Sequence, residues 1–251
     1  MMSRFWGVGS SAYADPRDEV PTVKHFTPSQ EPAEGQGVLL LFRLIEESIP
    51  SFFEPGRPIQ IVRAPGRLDI MGGLSGEKAP LTLSMPTSEA ACAAIQARKD
   101  DLIRLWSPCR DGSRTQMLTV RIEDLGLPST PIDYAEARVF LAADPRDRWA
   151  GYLLGSLLVL AREHALTPDH GVELLLYSDV PNLCGVASSS AITVAALRAF
   201  ALQFGLDLSP AEFGRLAQIV EREVMQVHGR VADAMTSVLA ESGELLALNG
   251  G

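Results

Sequence analysis

The sequence predicts an α+β domain with its strands first and its helices gathered behind them. Three observations carry this. Four segments between residues 58 and 124 read as strands, the clearest being the alternating PIQIVRAP. Long apolar or amphipathic helical stretches fill most of the second half. Strands and helices do not alternate in regular βαβ units, and no internal repeat is found.

Residues 1–34 are rich in Ser, Pro, Gly and charge, as in ADPRDEVPTVKHFTPSQEPAEG, and predict a flexible lead-in to a domain over 35–251. GVLLLFRLIEESIPSFF carries Leu40, Leu41, Leu44 and Ile45 on one helical face, with Pro50 as its limit. PIQIVRAP predicts a strand ending at Pro65, and APLTLSMP a second. EAACAAIQAR is ambiguous: alanine favours helix, but a short segment among strands can be overridden by its sheet. DLIRLWS and QMLTVRIED predict two strands joined through SPCRDGSR.

WAGYLLGSLLVLAREHA is apolar nearly all round and predicts a buried helix. GVELLLYSDVP predicts a strand. SSAITVAALRAFALQFG predicts a helix opened by serines and closed by Gly205. A second helix, SPAEFGRLAQIVEREVMQVHG, has Ser209 as N-cap and Pro210 at its first position. DAMTSVLAESG predicts a short helix and ELLALNGG the start of a strand.

Composition narrows the function classes. The 251 residues carry 31 acidic and 22 basic side chains, a net charge of -9, with no basic concentration of the kind nucleic acid requires. Cys92, Cys109 and Cys184 are odd in number and widely spaced, which disfavours a disulfide framework or zinc site and fits a reducing cytoplasm. The longest apolar run, YLLGSLLVLA, is far shorter than a membrane span, and the amino terminus lacks a signal-peptide pattern.

Three segments carry chemistry. Asp179 to Ala191, DVPNLCGVASSSA, follows a strand and opens a helix. Unpaired N–H groups and the positive dipole end meet there, Gly185 permits close approach, and serines add hydroxyls. That pattern suits a phosphate cradle with room for Mg²⁺; the same residues also suit an ordinary Ser-capped helix. RAPGRLDIMGG, Arg63 to Gly73, places Arg67 just past a strand, where it is either a surface turn arginine or a fixed cation for a site. VEREVMQVHGRVADAMTS, Val220 to Ser237, holds Glu221 and Asp233. Asp233 suits a helix N-cap, and Glu221 suits either a solvated face or a metal. His228 stands alone and suits packing or the surface.

Together these segments resemble the GHMP kinase family, closest to arabinokinases and galactokinases. The family loop P-x-G-x-G-L-[SG]-S-S-A matches Pro181, Gly185, Val186, Ala187, Ser188 and Ser189; Leu183 replaces a glycine and Ser190 an alanine. Arg63 to Gly73 follow the arabinokinase pattern with one Val-to-Ile change. Glu221, Val231, Asp233, Met235, Thr236 and Ser237 match a third motif, in which His228, Gly229 and Arg230 replace Pro-Cys-Gly and Ala234 replaces Gln. Trp149-Ala-Gly-Tyr152 is a weaker match better explained by core packing.

The resemblance implies a two-layer, ribosomal-protein-like α+β domain with an unusual left-handed crossover. It implies an ATP-dependent sugar 1-kinase acting on an arabinose- or galactose-like monosaccharide. In that reading Asp233 and Arg67 are catalytic, and Pro181, Gly185, Val186, Ala187, Ser188, Ser189 and Ser190 bind ATP. Ser189 and Glu221 hold Mg²⁺, while Asp69, Gly73 and Arg230 face the sugar. The sugar loop, GGLSGE, is shortened relative to the family. A third glycine-rich motif belongs to the family's carboxy-terminal domain and is not found before Gly251, so little or no turnover is expected from these residues alone. A sugar- and ATP-binding sensor, or a kinase for another small alcohol, are the alternatives.

Overall fold

A computed structural model describes residues 36–72, 81–109, 111–239, 241 and 244–249. The expected lead-in at 1–34, Gly73 and most of the shortened sugar loop lie outside the described residues. The family-like segment around Arg67 sits in a longer strand than the sequence predicts. β1 spans Gln60–Met71 and does not end at Pro65. It pairs antiparallel with β2, Leu81–Ala97, and absorbs Pro65 by a register shift between Pro65 and Arg67. Arg67 is therefore held within a sheet, on a backbone fixed from one side by β2.

β2 settles the ambiguity of EAACAAIQAR in favour of strand, because its neighbours occupy both edges and both faces. Ala91, Ala93 and Ile95 face one apolar cluster, while Cys92 and Ala94 face another. That alternation is the two-residue period of a strand, and burial on both faces overrides alanine's helical preference. β3 (Leu102–Trp106) and β4 (Met117–Arg121) form the antiparallel pair expected from their sequences. β5, Val172–Ser178, lies between β2 and β3, antiparallel to the first and parallel to the second. The sheet order is β1-β2-β5-β3-β4, with β6 (Leu246–Asn249) pairing to the opening residues of β2.

The main helical layer covers one face. It comprises α3 (Gly151–His164), α4 (Ser188–Gln203), α5 (Pro210–Ile219) and α6 (Val231–Leu239). Leu153, Leu157, Leu160, Leu197, Phe200 and Leu216 are buried in this layer, each contributing ~1.5–3 kcal/mol of transfer free energy. The opposite face is covered in part by α1, Gln36–Arg43, with Leu41, Phe52 and Phe53 packed on Trp106 and Leu175.

Two helical details differ from expectation. The segment Tyr134–Leu141 forms α2, which was not predicted; Asp133 caps it and exchanges hydrogen bonds with Glu136 in a capping box. The long helix read from Ser209 to Gly229 is α-helical only as far as Ile219. It widens into a π-helical turn over Val220–Val224, and Gln226 follows at φ 55°. Glu221 lies on the same buried side as Ala217 and Val220, so the inward face of α5 runs on into this turn. Among the described residues no helix is long and apolar enough to cross a membrane.

Candidate active site

Three elements meet at Arg67: its own strand, the loop between β5 and α4, and the first turn of α6. The loop approaches because residue 66 is glycine. A Cβ there would lie 2.8 Å from both Thr87 Oγ1 and Val180 Cγ1, and 2.9 Å from the Val186 carbonyl oxygen. At that short range the Arg67 backbone N–H donates to Val186 O at 2.9 Å. The Arg67 Nη1 donates to Gly185 O at 3.3 Å. One residue thus fixes the serine-rich loop through both backbone and side chain.

The same guanidinium clasps Asp233. Arg67 Nε and Nη2 lie 2.9 and 2.7 Å from Asp233 Oδ1. Arg67 is 6% exposed and Asp233 9%, so this charged contact is largely screened from water. Asp233 reaches Arg67 because α6 is pinned to β1: Ser237 Oγ donates to Pro65 O at 2.7 Å. Arg198, half-buried on α4, donates to Arg63 O and Val238 O and so ties the same two elements together. Motif reading gave neither Ser237 nor Arg198 a function, and the long chain separation of the partners hides both contacts.

A second pair completes a quartet. Arg230 Nη2 donates to Asp233 Oδ1 at 2.8 Å and to Asp69 Oδ2 at 3.0 Å, while its Nε reaches Asp233 Oδ2 at 3.4 Å. Arg67 Nη1 is 4.0 Å from Asp69. Two carboxylates and two guanidiniums therefore balance in charge. Burial pulls the Arg230 guanidinium down, but hydrogen bonds and charge from Asp233 and Asp69 outweigh it and hold it above its ordinary value.

The loop itself is exposed from Pro181 to Gly185. Leu183, Gly185 and Ala187 all take positive φ, at 60°, 73° and 59°. Leu183 is fully exposed, so the residue that replaces the family's glycine adopts glycine's conformation with its side chain in solvent. Ala187 leads directly into α4, whose first residues Ser188 and Ser189 are half-buried. A helix start carries N–H groups with no partner inside the helix, and the residues just before this one bond Arg67 through Gly185 O and Val186 O, an arrangement that suits an anion.

Glu221 lies beneath the loop and is fully buried, which excludes the solvated-face alternative. Its Oε1 accepts from Ser190 Oγ at 3.0 Å, and Ser189 hydrogen-bonds the same carboxyl group. Ser190 is itself buried, so its hydroxyl serves Glu221 beneath the loop surface. Burial pushes the Glu221 carboxyl up; the two serines oppose this, and the nearby Asp233 charge adds to it. The other oxygen, Oε2, is buried without a hydrogen-bond partner and packs where a Cβ on Gly229 would sit.

Among the described residues no group of three His, Cys, Asp or Glu side chains is placed to hold a metal ion. Glu221 with Ser189 nonetheless fits Mg²⁺, which commonly takes one or two protein oxygens and completes its shell with phosphates and water. The orphaned Oε2 is the observation that favours this fit.

The sequence-expected residues Arg67, Asp69, Gly185, Val186, Ser189, Ser190, Glu221, Arg230 and Asp233 are thus connected through contacts in one region. Pro181 lies on the loop's outer arm, and Trp149 is spent elsewhere, donating from Nε1 to Thr115 Oγ1 and stacking under Arg114.

Comparisons with known proteins bear on the family and the fold. Residues 151–241 match the family profile "GHMP kinases N terminal domain". The chain is 34% identical over 212 residues to L-arabinokinase of Arabidopsis thaliana, across 76% of this chain and 20% of that protein. It is 26% identical over 196 residues to a galactokinase of Levilactobacillus brevis, across 76% of this chain and 45% of that protein. The structure of Lactococcus lactis galactokinase complexed with galactose superposes with a TM-score of 0.66 at 16% identity, over 85% of this chain and 49% of that one, a likeness of fold. The chain spans less than half the length of each of these relatives. Profile, relatives and architecture converge on the GHMP kinases: residues 151–241 match that family's amino-terminal domain, and the L-arabinokinase and galactokinase relatives extend the likeness over 76% of the chain.

Proposed function

We propose that these residues form the nucleotide- and acceptor-binding part of an ATP-dependent sugar kinase. The reading rests on one observation above others: Arg67 touches both the serine-rich loop, at Gly185, and the carboxylate of Asp233. A cation so placed lies between a phosphate cradle and a base. In the proposed reaction, the anomeric oxygen of the acceptor forms a bond to the γ-phosphorus of ATP. The bond from that phosphorus to the ADP oxygen breaks, and the hydroxyl proton passes to Asp233. Arg67 offsets the charge that develops on the transferring group. Ser188 and the α4 start would hold phosphate oxygens, and Ser189 with Glu221 would hold the ion. When bound, Mg²⁺ neutralises part of the β- and γ-phosphate charge.

Calorimetry of Mg-ATP binding tests this. Ser189→Ala, which leaves the Ser190–Glu221 bond in place, is expected to weaken binding by about tenfold or more. Equal affinity of the variant and the parent chain for Mg-ATP counts against the assignment of the loop.

One observation favours a second reading, a binding or sensing module without transfer. Asp233 has both oxygens engaged by guanidiniums, so it is not poised to accept a proton while Arg230 remains in place. Binding of Mg-ATP and sugar with no ADP release in a coupled assay selects the sensing reading; ADP release selects the kinase.

A further inference from the structure

We infer that the acceptor carries an anionic group, a carboxylate or a phosphate, and that Arg230 binds it and in doing so releases Asp233. The inference rests on the kinase reading and deepens it by naming the acceptor's class. It starts from a residue that departs from the family pattern, since the matching motif has glycine where this chain has Arg230.

Arg230 is not a surface arginine that happens to pass the site. Its side chain is 19% exposed and lies between Asp69 and Asp233, bonded to both. Asp233 Oδ1 already receives Arg67 through Nε and Nη2, and Arg230 adds a third donor there and a longer contact to Oδ2. A substrate hydroxyl approaching Asp233 therefore competes with Arg230 for its carboxylate. A neutral sugar offers only hydroxyls in exchange, which bind a guanidinium more weakly than a carboxylate does. Moving Arg230 for such a ligand leaves a half-buried cation with weaker partners.

An anionic substituent changes the balance. It gives the guanidinium a charged, bidentate partner of the same kind as the one it leaves. Asp233 then keeps Arg67, and its Oδ2, held among the described residues by the 3.4 Å contact from Arg230, opens toward the acceptor. Recognition of the acceptor and exposure of the base thus become one event. Arg67 cannot play this part, because its backbone and side chain are both tied to the loop.

The test titrates the chain with D-galactose, D-galacturonate and D-galactose 6-phosphate by calorimetry, with and without a non-hydrolysable ATP analogue and Mg²⁺. At least one anionic sugar is expected to bind about tenfold or more tightly than galactose, with the gap narrowing as salt rises. The carboxylate and phosphate arms decide which anion fits. In Arg230→Gly the preference is expected to vanish and galactose to bind better than in the parent chain. Arg230→Lys, which keeps the charge but not the fork, serves if the glycine variant does not fold, and is expected to lower the preference severalfold. Galactose binding as well as both anionic sugars, a preference that survives in Arg230→Gly, or no binding of any sugar would overturn the inference. Failure of the ATP analogue alone to bind removes the kinase reading and leaves the ranking of the sugars to judge Arg230.

Discussion

Replacing Asp233 with alanine should reveal how much stability the Arg67–Asp233 contact holds. The change removes the anion that receives Arg67 through two nitrogens and Arg230 through two more. The two arginines then fare differently. Arg230 retains Asp69 at 3.0 Å and has a fifth of its side chain in water. Arg67 has an 8% exposed side chain, Gly185 O at 3.3 Å and Asp69 at 4.0 Å. It is left as a buried cation with poor compensation, and breaking such a pair from one side costs about 3–5 kcal/mol. For a chain of this size each kcal/mol lowers Tm by about 2–4 °C, so a fall of roughly 10 °C is expected. Arg230→Ala leaves the Arg67–Asp233 pair intact and should cost about 1–2 kcal/mol. The assay is urea unfolding of Arg67→Ala, Asp233→Ala and the double variant. A coupling energy of about 2–3 kcal/mol is expected, and single costs that add to within about 0.5 kcal/mol refute the reasoning.

Two further predictions concern the loop and its support. Glu221 has its carboxyl pushed up by burial, so its folded-state value exceeds the unfolded one. Stability is then unaffected by this group below the unfolded value near 4.5, falls as pH rises through the folded value, and levels off above it. Glu221→Gln should therefore melt above the parent chain at neutral pH, with the gap closing toward pH 4, while its Mg-ATP affinity drops; thermal melts across pH and calorimetry check both. Leu183 adopts φ 60° with a fully exposed side chain, so Leu183→Gly relieves left-handed strain and should gain about 0.5–1 kcal/mol net of glycine's added chain entropy, read from the urea midpoint.

Much of the architecture is legible in the sequence because strand alternation and helix caps are local. PIQIVRAP, DLIRLWS and QMLTVRIED reach the sheet as expected. Ser209 caps α5 as its position predicts. The failures share a cause in tertiary context. EAACAAIQAR reads both ways until two apolar clusters are seen to sandwich it. The helix after Ser209 reads as continuous, and only the structure shows that it widens over Val220–Val224 and that Glu221 is buried there. α2 was legible, since Asp133 and Glu136 carry a capping-box spacing, but no strong apolar stripe draws attention to it.

The site divides the same way. Motif matching brings Arg67, Asp233, Glu221 and the serine loop to attention, and the fold joins them. The Arg230–Asp69 contact spans 161 residues, and the Ser237–Pro65 contact 172, with no local signal for either. Asp233 was read as a possible N-cap; it instead lies inside the first turn of α6 and turns its carboxylate toward Arg67.

In the proposed function the serine-rich loop, Arg67 and Asp233 bound a single ligand cleft. Backbone NMR during titration with a Mg-bound, non-hydrolysable ATP analogue measures this most directly. The amides of Gly185 to Ser189 are expected to shift together with those of Arg67 and Asp233, along one saturating curve. Shifts confined to a different face of the sheet, with these residues unmoved at saturation, would contradict it.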